Sequence, residues 1–163
     1  MKEIPLTKGY VALVDDEDYE WLMQWKWHVS ISRSSPRAAR NIGRGRQLFM
    51  HRAIMDAPPD KQVDHKDLCG LNNQRSNLRL CSNAENNRNK GKRPNNTVGY
   101  CGVVRSGKGF MPKIKINGKQ LYFGTFPTPE LAAKARDIAA IKYYGEFAHL
   151  NFPEENYALH SHV

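Results

Sequence analysis

With 163 residues and 18.6 kDa, the chain has material for one ordinary domain or two small ones, and too little for three independent cores. Its 25 Lys and Arg against 16 Asp and Glu give a formal charge of +9 and a pI near 9.6, which points to a polyanionic partner: DNA, RNA or an acidic membrane surface. No apolar run can span a bilayer, the opening Met1-Lys2-Glu3-Ile4-Pro5-Leu6 lacks a signal peptide's apolar core, and three cysteines without a secretory signal predict reduced thiols in a cytoplasm.

Residues 1–50 read as a small mixed α/β section. Gly9 to Val14 is strand-like, and the acidic run Asp15-Asp16-Glu17-Asp18 leads into a helix through Trp25. Acid at a helix start complements the dipole, so a helix N-terminus is a better account of this run than a second metal site. Trp21, Trp25 and Trp27 are expected to form the core of the section. From Ser30 to Met50, short strand-like pieces alternate with basic turns at Arg33, Arg37 and Arg40, and Gly43-Arg44-Gly45-Arg46 divides two apolar segments. A hairpin with an arginine-rich tip is the simplest account, and Arg44 and Arg46 are candidates for phosphate contact. Phe49 to Met55 starts a short helix that Pro58-Pro59 ends, and it carries the pair His51-Arg52, for which a structural or phosphate-binding role is expected, with Arg52 the phosphate-binding candidate.

The stretch from Gln62 to Lys90 carries the chemistry. Val63-Asp64-His65 is a short strand ending in an acid and an imidazole, followed by a polar loop and a second strand, Leu78-Arg79-Leu80-Cys81. Ser82-Asn83-Ala84-Glu85 fits a capping box, so a helix begins near Asn83 and runs towards Gly91. In a regular strand Asp64 and His65 face opposite ways, and one site can use both only if the chain bends beside them. An Asp carboxylate and an Asn carbonyl are hard donors that suit a magnesium-type ion and fit zinc poorly. A neutral His beside such an ion can take a proton from water. Asn77 is placed to tie the loop's backbone down and to orient the imidazole. The three cysteines leave a zinc set of four incomplete; Cys81 is expected to be buried, and Cys69 and Cys101 incidental.

This segment resembles the ββα-metal motif of HNH endonucleases, with Asn in the last position. The resemblance implies that Asp64 is a metal ligand, His65 the general base, Asn77 the central loop asparagine and Asn86 the helix ligand, with Asn87 and Asn89 as alternatives for that last role. It implies one divalent cation, Mg2+ or Mn2+, and hydrolysis of a DNA phosphodiester.

Past the helix, Lys90, Lys92 and Arg93 begin a basic linker over residues 91–97, suited to tracking a DNA backbone. Residues 98–153 alternate with period two and then turn helical. Lys113-Ile114-Lys115-Ile116 meets Gln120-Leu121-Tyr122-Phe123 across Asn117-Gly118, a strong hairpin signal, and Gly102 to Arg105 is a third strand. Thr128 caps a helix with Pro129 first, and Leu131, Ala132, Ala135, Ile138, Ala139 and Tyr143 are its expected apolar stripe up to Gly145. The expected architecture is a three-stranded antiparallel sheet packed on one helix. Arg105, Lys113, Lys115, Gln120 and Tyr122 are candidates for the DNA-facing surface. Residues 154–163 are expected to be a tail.

Tyr100-Cys101-Gly102-Val103, Phe123-Gly124-Thr125-Phe126, Glu130-Leu131-Ala132-Ala133 and Leu150-Asn151-Phe152 resemble the Apetala-type, or ethylene-response-factor, DNA-binding domain. Cys101 and Val104 stand where plant members place arginines, so the target sequence cannot be carried over. The whole chain is therefore expected to be α+β: a mixed section at 1–50, an HNH core at 51–90, a linker, and the sheet domain. The pairing of motifs resembles homing endonucleases of phage and mobile elements, acting on double-stranded DNA as a monomer in a bacterial or phage-infected cell, with no protein partner implied. One site per chain predicts a nick. The alternative is a DNA-binding protein that keeps the HNH fold without cutting, and a basic RNA-binding module is the rival from another class.

Overall fold

A β-branched and leucine-rich start folds back on itself at once: β1 (Lys2–Pro5) pairs antiparallel with β2 (Val11–Val14) from Lys2↔Val14 to Pro5↔Val11. Ile4, Ala12 and Val14 are buried in this ribbon. The computed structural model describes residues 1–31, 35–89, 91, 96–155 and 157. They form an α+β structure of small antiparallel sheets and short helices, in two compact units, Met1–Asn87 and Arg88–Val163. No helix of the described residues is long and apolar enough to cross a membrane.

In the first unit, α1 (Asp16–Leu22) carries Asp16, Glu17 and Asp18 in its first turn, where negative charge is favoured. Asp15 stands at the N-cap, yet its carboxylate makes no cap bond. It accepts instead from the Gln74 side chain and the Arg75 backbone N–H. Trp27 is buried and donates its indole N–H to the Leu22 carbonyl at 2.8 Å. Trp25 departs from the core role expected of it: its ring is 37% exposed and is covered by the Arg40 guanidinium at 4.1 Å.

Next, β3 (His28–Ile31), β4 (Pro36–Asn41) and β5 (Gln47–Phe49) form an antiparallel sheet with β4 central. The β4–β5 turn closes with Ile42 N–H donating to the Arg46 carbonyl and presents Arg44 and Arg46 to solvent. The short α2 (Met50–Ile54) then points Met50, His51 and Ile54 inward. One hydrophobic core joins Ile4, Val14, Leu22, Val29, Met50 and Ile54 to Val63 and Leu78, so residues 1–50 and the strands that follow are built on the same interior.

The strands β6 (Gln62–His65) and β7 (Leu78–Cys81) pair antiparallel, with Asp64 opposite Arg79 and His65 opposite Leu78. Between them the loop presses on β4 at Gly70. A Cβ there would sit 2.5 Å from the Pro36 carbonyl oxygen, so only glycine permits the approach. The helix α3 (Asn83–Arg88) starts with the expected capping box: Glu85 accepts from Ser82 N–H at 2.7 Å, and Ser82 Oγ accepts from Glu85 N–H at 3.3 Å.

In the second unit, β8 (Val103–Ser106), β9 (Gly109–Ile116) and β10 (Lys119–Tyr122) form an antiparallel sheet with β9 central. Asn117 (φ 48°) and Gly118 (φ 84°) both adopt left-handed conformations, as a two-residue primed turn requires. α4 (Pro129–Tyr144) packs on the sheet, with Thr128 Oγ1 accepting from Leu131 N–H. Its buried stripe is Ala132, Ala133, Arg136, Asp137, Ala139, Ala140 and Tyr144, rotated from the expected one; Leu131 and Tyr143 are exposed. Four alanines bring the helix close to the sheet, and the buried charges are tethered to the following chain. Asp137 accepts from both Asn151 nitrogens, from Phe152 N–H and from the Tyr157 hydroxyl, and Arg136 donates to the His149 carbonyl. Residue 157 is thus part of the folded unit.

Candidate active site

The register of β6 and β7 decides what Asp64 meets. A directly opposed cross-strand pair places side chains about 5 Å apart at Cβ. Arg79 accordingly donates through Nε (2.9 Å) and Nη2 (2.7 Å) to one carboxylate oxygen, Oδ2 of Asp64. Asp64 is 5% and His65 7% exposed, so the two are enclosed although a strand sends them to opposite faces. The bend comes immediately after: Leu68 N–H donates back to the His65 carbonyl, and Leu68 takes φ 65°.

Around His65 the structure supplies a partner that the sequence reading did not name. Asn73, 0% exposed, places Oδ1 at 3.4 Å from His65 Nε2, while its own Nδ2 donates to the Leu71 carbonyl. With the amide nitrogen spent on Leu71, Oδ1 is the acceptor toward Nε2. Asn73 is fixed in turn by β2, through Asn73 N–H to the Leu13 carbonyl and Leu13 N–H to the Leu71 carbonyl. Burial, and less strongly the charge of Arg37, lowers the imidazole's proton affinity, against the opposing effect of the Asn73 bond, Asp67 and Asp64.

A second imidazole lies edge-on to the first, with ring centroids 4.9 Å apart: His51, stacked on Phe49. Burial, with His65, Arg37 and Arg52 adding to it, pushes its pKa down to about 3, so His51 is neutral. Its neighbour Arg52 spends its donors on the carbonyls of Lys61, Ala57 and Pro58. That use fastens the segment leading into β6, the structural one of the two roles expected of the pair.

Asn77 ties the loop together by accepting from Asp67 N–H and donating to Asp67 Oδ1 and the Asn72 carbonyl. None of these bonds reaches the imidazole; Asn73 has that part of the role expected of Asn77. The turn Arg75–Asn77 is anchored from outside, because Arg75 binds Asp18 at 2.7 and 2.8 Å and Glu17 at 3.0 Å. The acidic run at α1 is therefore a clamp on the loop as well as a helix start.

Of the three asparagines considered for the helix ligand, Asn86 reaches the strand: its Nδ2 donates to Gln62 Oε1 at 2.7 Å, two residues before Asp64. Asn87 turns back to the Asn83 carbonyl of its own helix, and Asn89 falls in the second unit. With Nδ2 engaged, Asn86 retains its carbonyl oxygen as donor to a cation. Asp64 and Asn86 offer hard oxygens, whose chemistry fits a magnesium-type ion that keeps several waters. Among the described residues no three His, Cys, Asp or Glu side chains form a metal cluster. Cys81 is buried, its thiol pushed up to about 11 mainly by burial, while Cys69 is exposed and Cys101 partly so.

On the sheet of the second unit, cross-strand pairing puts Lys115 with Gln120 and Lys113 with Tyr122 on one face, where the Tyr122 hydroxyl donates to Gln120 Oε1. Val104 and Met111 share that face by alternation. Arg105 does not: it pairs with Phe110, lies over that ring at 5.0 Å, and so belongs to the helix side of the sheet. One residue of strand register separates it from the face expected of it. Lys90, Lys92 and Arg93 lie outside the described residues, as does the end of the tail, residues 158–163.

Known proteins resemble the chain over two different stretches. The chain is 30% identical over 145 residues to an uncharacterized HNH endonuclease of Acanthamoeba polyphaga mimivirus, a match that covers 86% of this chain and 74% of that protein. The chain belongs to the HNH endonuclease family. It is also 50% identical over 40 residues, 24% of the chain, to the AP2-like ethylene-responsive transcription factor ANT of Arabidopsis thaliana, of which the match covers 7%. A dehydration-responsive element-binding protein of Oryza sativa is 56% identical over 36 residues, 22% of the chain and 16% of that protein. No family model matches the chain, and no solved structure does.

Proposed function

We propose that this protein is a metal-dependent, site-specific DNA endonuclease of the homing type that nicks one strand, with its site on the strand–loop–strand–helix segment 62–88 as a ββα-metal motif. The observation that carries the reading is the setting of His65: a buried imidazole at the end of β6, held to Asn73 through Nε2 and kept neutral by its burial, as a general base must be. The imidazole takes the proton of a water; the water oxygen attacks phosphorus in line, and the bond to the 3′ oxygen breaks. Asp64 and Asn86 would hold one Mg2+ or Mn2+, and such an ion supplies Lewis-acid stabilisation of the leaving oxygen. Asn77 keeps the loop, and with it the end of β6, in place.

Contacts to phosphates carry no sequence information, so the choice of site falls to the second unit. Lys113, Lys115, Gln120 and Tyr122 form a polar, basic face of a size that fits the major groove, as the likeness to ethylene-responsive factors supports. Arg44 and Arg46, exposed at the β4–β5 turn, add phosphate contact from the first unit. The linker residues Lys90, Lys92 and Arg93 belong to the same proposed path along double-stranded DNA.

A second reading rests on the Arg79–Asp64 pair. A carboxylate already neutralised by two charge-assisted bonds is a weaker cation ligand, as a DNA-binding protein that no longer cuts would have. Incubating supercoiled plasmids of diverse sequence with the protein and Mg2+ or Mn2+, with and without chelator, separates the two. Chelator-sensitive open circles support the nuclease; salt-sensitive binding with no open circles in either metal supports the non-cutting protein.

A further inference from the structure

We propose that Arg37 is a phosphate ligand of the same site, holding the scissile phosphodiester against His65. The inference rests on the nuclease reading and adds a residue that neither the motif nor the family likeness names. Arg37 lies on β4 of the first unit, half-buried, with its Nε enclosed and without a hydrogen-bond partner. Among the described residues no carboxylate pairs with its guanidinium. An enclosed guanidinium N–H left without an acceptor is unfavourable, and an anion that reaches it would recover that loss.

The fold places this cation beside the catalytic imidazole. Arg37 shares a face of β4 with Ala39, which lies opposite Phe49 on β5; Phe49 stacks on His51, and His51 meets His65 edge-on. On its other side the Arg37 stem touches the β6–β7 loop, with Cγ 2.9 Å from where a Gly70 Cβ would be. Its positive charge is felt at both imidazoles. A cation next to two histidines repels their protonated forms and attracts an anion. In a nuclease the anion that must come within reach of His65 is the phosphate under attack. Arg40 supplies the contrast: it too has a buried Nε with no partner, but its guanidinium lies on the Trp25 ring, and that stacking accounts for it.

The test compares Arg37→Met and Arg37→Lys with wild type in two assays. The first is single-turnover nicking of plasmid in Mn2+. The second is binding to a random-sequence duplex in chelator as a function of salt, which needs no cleavage. Arg37→Met is expected to slow nicking about 100-fold, the usual consequence of removing one preorganised donor to a developing charge. It should also reduce the slope of log K against log salt by about 0.9, the signature of one lost phosphate contact. Arg37→Lys, which keeps the charge, should restore the slope and part of the rate. Arg37→Met that nicks and binds as wild type does would overturn the proposal. If wild type itself never nicks, the nuclease reading falls separately, and the salt slope alone decides whether Arg37 touches phosphate. A fall in both properties that Arg37→Lys fails to relieve, with a lowered melting temperature, would assign Arg37 to the fold and likewise overturn it.

Discussion

His51 should make the first unit sensitive to mild acid, and the size of the effect follows from its burial. In the folded chain its pKa is near 3, against 6.5 for an unperturbed histidine, because the ring is enclosed between Phe49 and His65 with Arg37 and Arg52 nearby. The unfolded chain binds a proton below pH 6.5 while the folded chain cannot, so stability rises with pH across that interval and falls on acidification. The contribution is complete above pH 6.5 and is lost at roughly 1.4 kcal/mol per pH unit below it, until the folded ring itself protonates. Against an ordinary domain stability of about 5–15 kcal/mol, two pH units would remove a substantial share. His51→Phe keeps an aromatic ring and removes the titration. Trp21, Trp25 and Trp27, all three tryptophans of the chain, lie in the first unit, so their fluorescence follows its unfolding in urea. The gap in unfolding free energy between wild type and His51→Phe should shift by about 1 kcal/mol or more for each pH unit from 6.5 to 4.5, to the disadvantage of wild type. Parallel stability profiles over that range would refute the reasoning.

Arg79→Met should destabilise the first unit by about 3 kcal/mol, since it removes the partner of the buried Asp64 carboxylate; adding Asp64→Asn should recover part of the loss in urea unfolding. Asn73→Ala should lower the nicking rate while leaving duplex affinity in chelator unchanged, because it removes the imidazole's partner and no DNA contact. Asp137→Ala strips the second unit of the bonds to Asn151, Phe152 and Tyr157. It should expose residues 148–157 to amide exchange at rates near those of an unfolded peptide, as followed by mass spectrometry. Lys113→Ala with Lys115→Ala should weaken DNA binding and flatten its salt dependence by nearly two contacts, whereas Arg105→Ala should leave both close to wild type.

What the sequence made legible was local. The capping box at Ser82–Glu85, the Asn117-Gly118 turn and the Thr128 cap with Pro129 each involve neighbours within a few residues, and each stands where the pattern placed it. What it concealed depended on register or on distant chain. Arg79 could have been found from the hairpin itself, because aligning the two strands sets it opposite Asp64. Asn73 could not, since its role comes from a bridge to β2 some 60 residues earlier in the chain, Asn73 N–H to the Leu13 carbonyl. The α4 stripe misled for a definite reason. Hydrophobic periodicity counts Leu131 and Tyr143 as inward and charged residues as outward, yet Arg136 and Asp137 are buried because the chain at His149 to Phe152 satisfies them. Arg105 differs for a simpler reason: its register pairs it with Phe110, on the helix side.

His65 is the residue on which the account depends, and nicking of supercoiled plasmid by wild type and by His65→Ala, at matched concentrations in Mn2+, tests it most directly. The account predicts open circles formed by wild type and a loss of rate on the order of 100-fold or more in the variant, with duplex binding in chelator retained. Equal rates for the two proteins would contradict it, and would remove His65 from the chemistry whatever the fold around it.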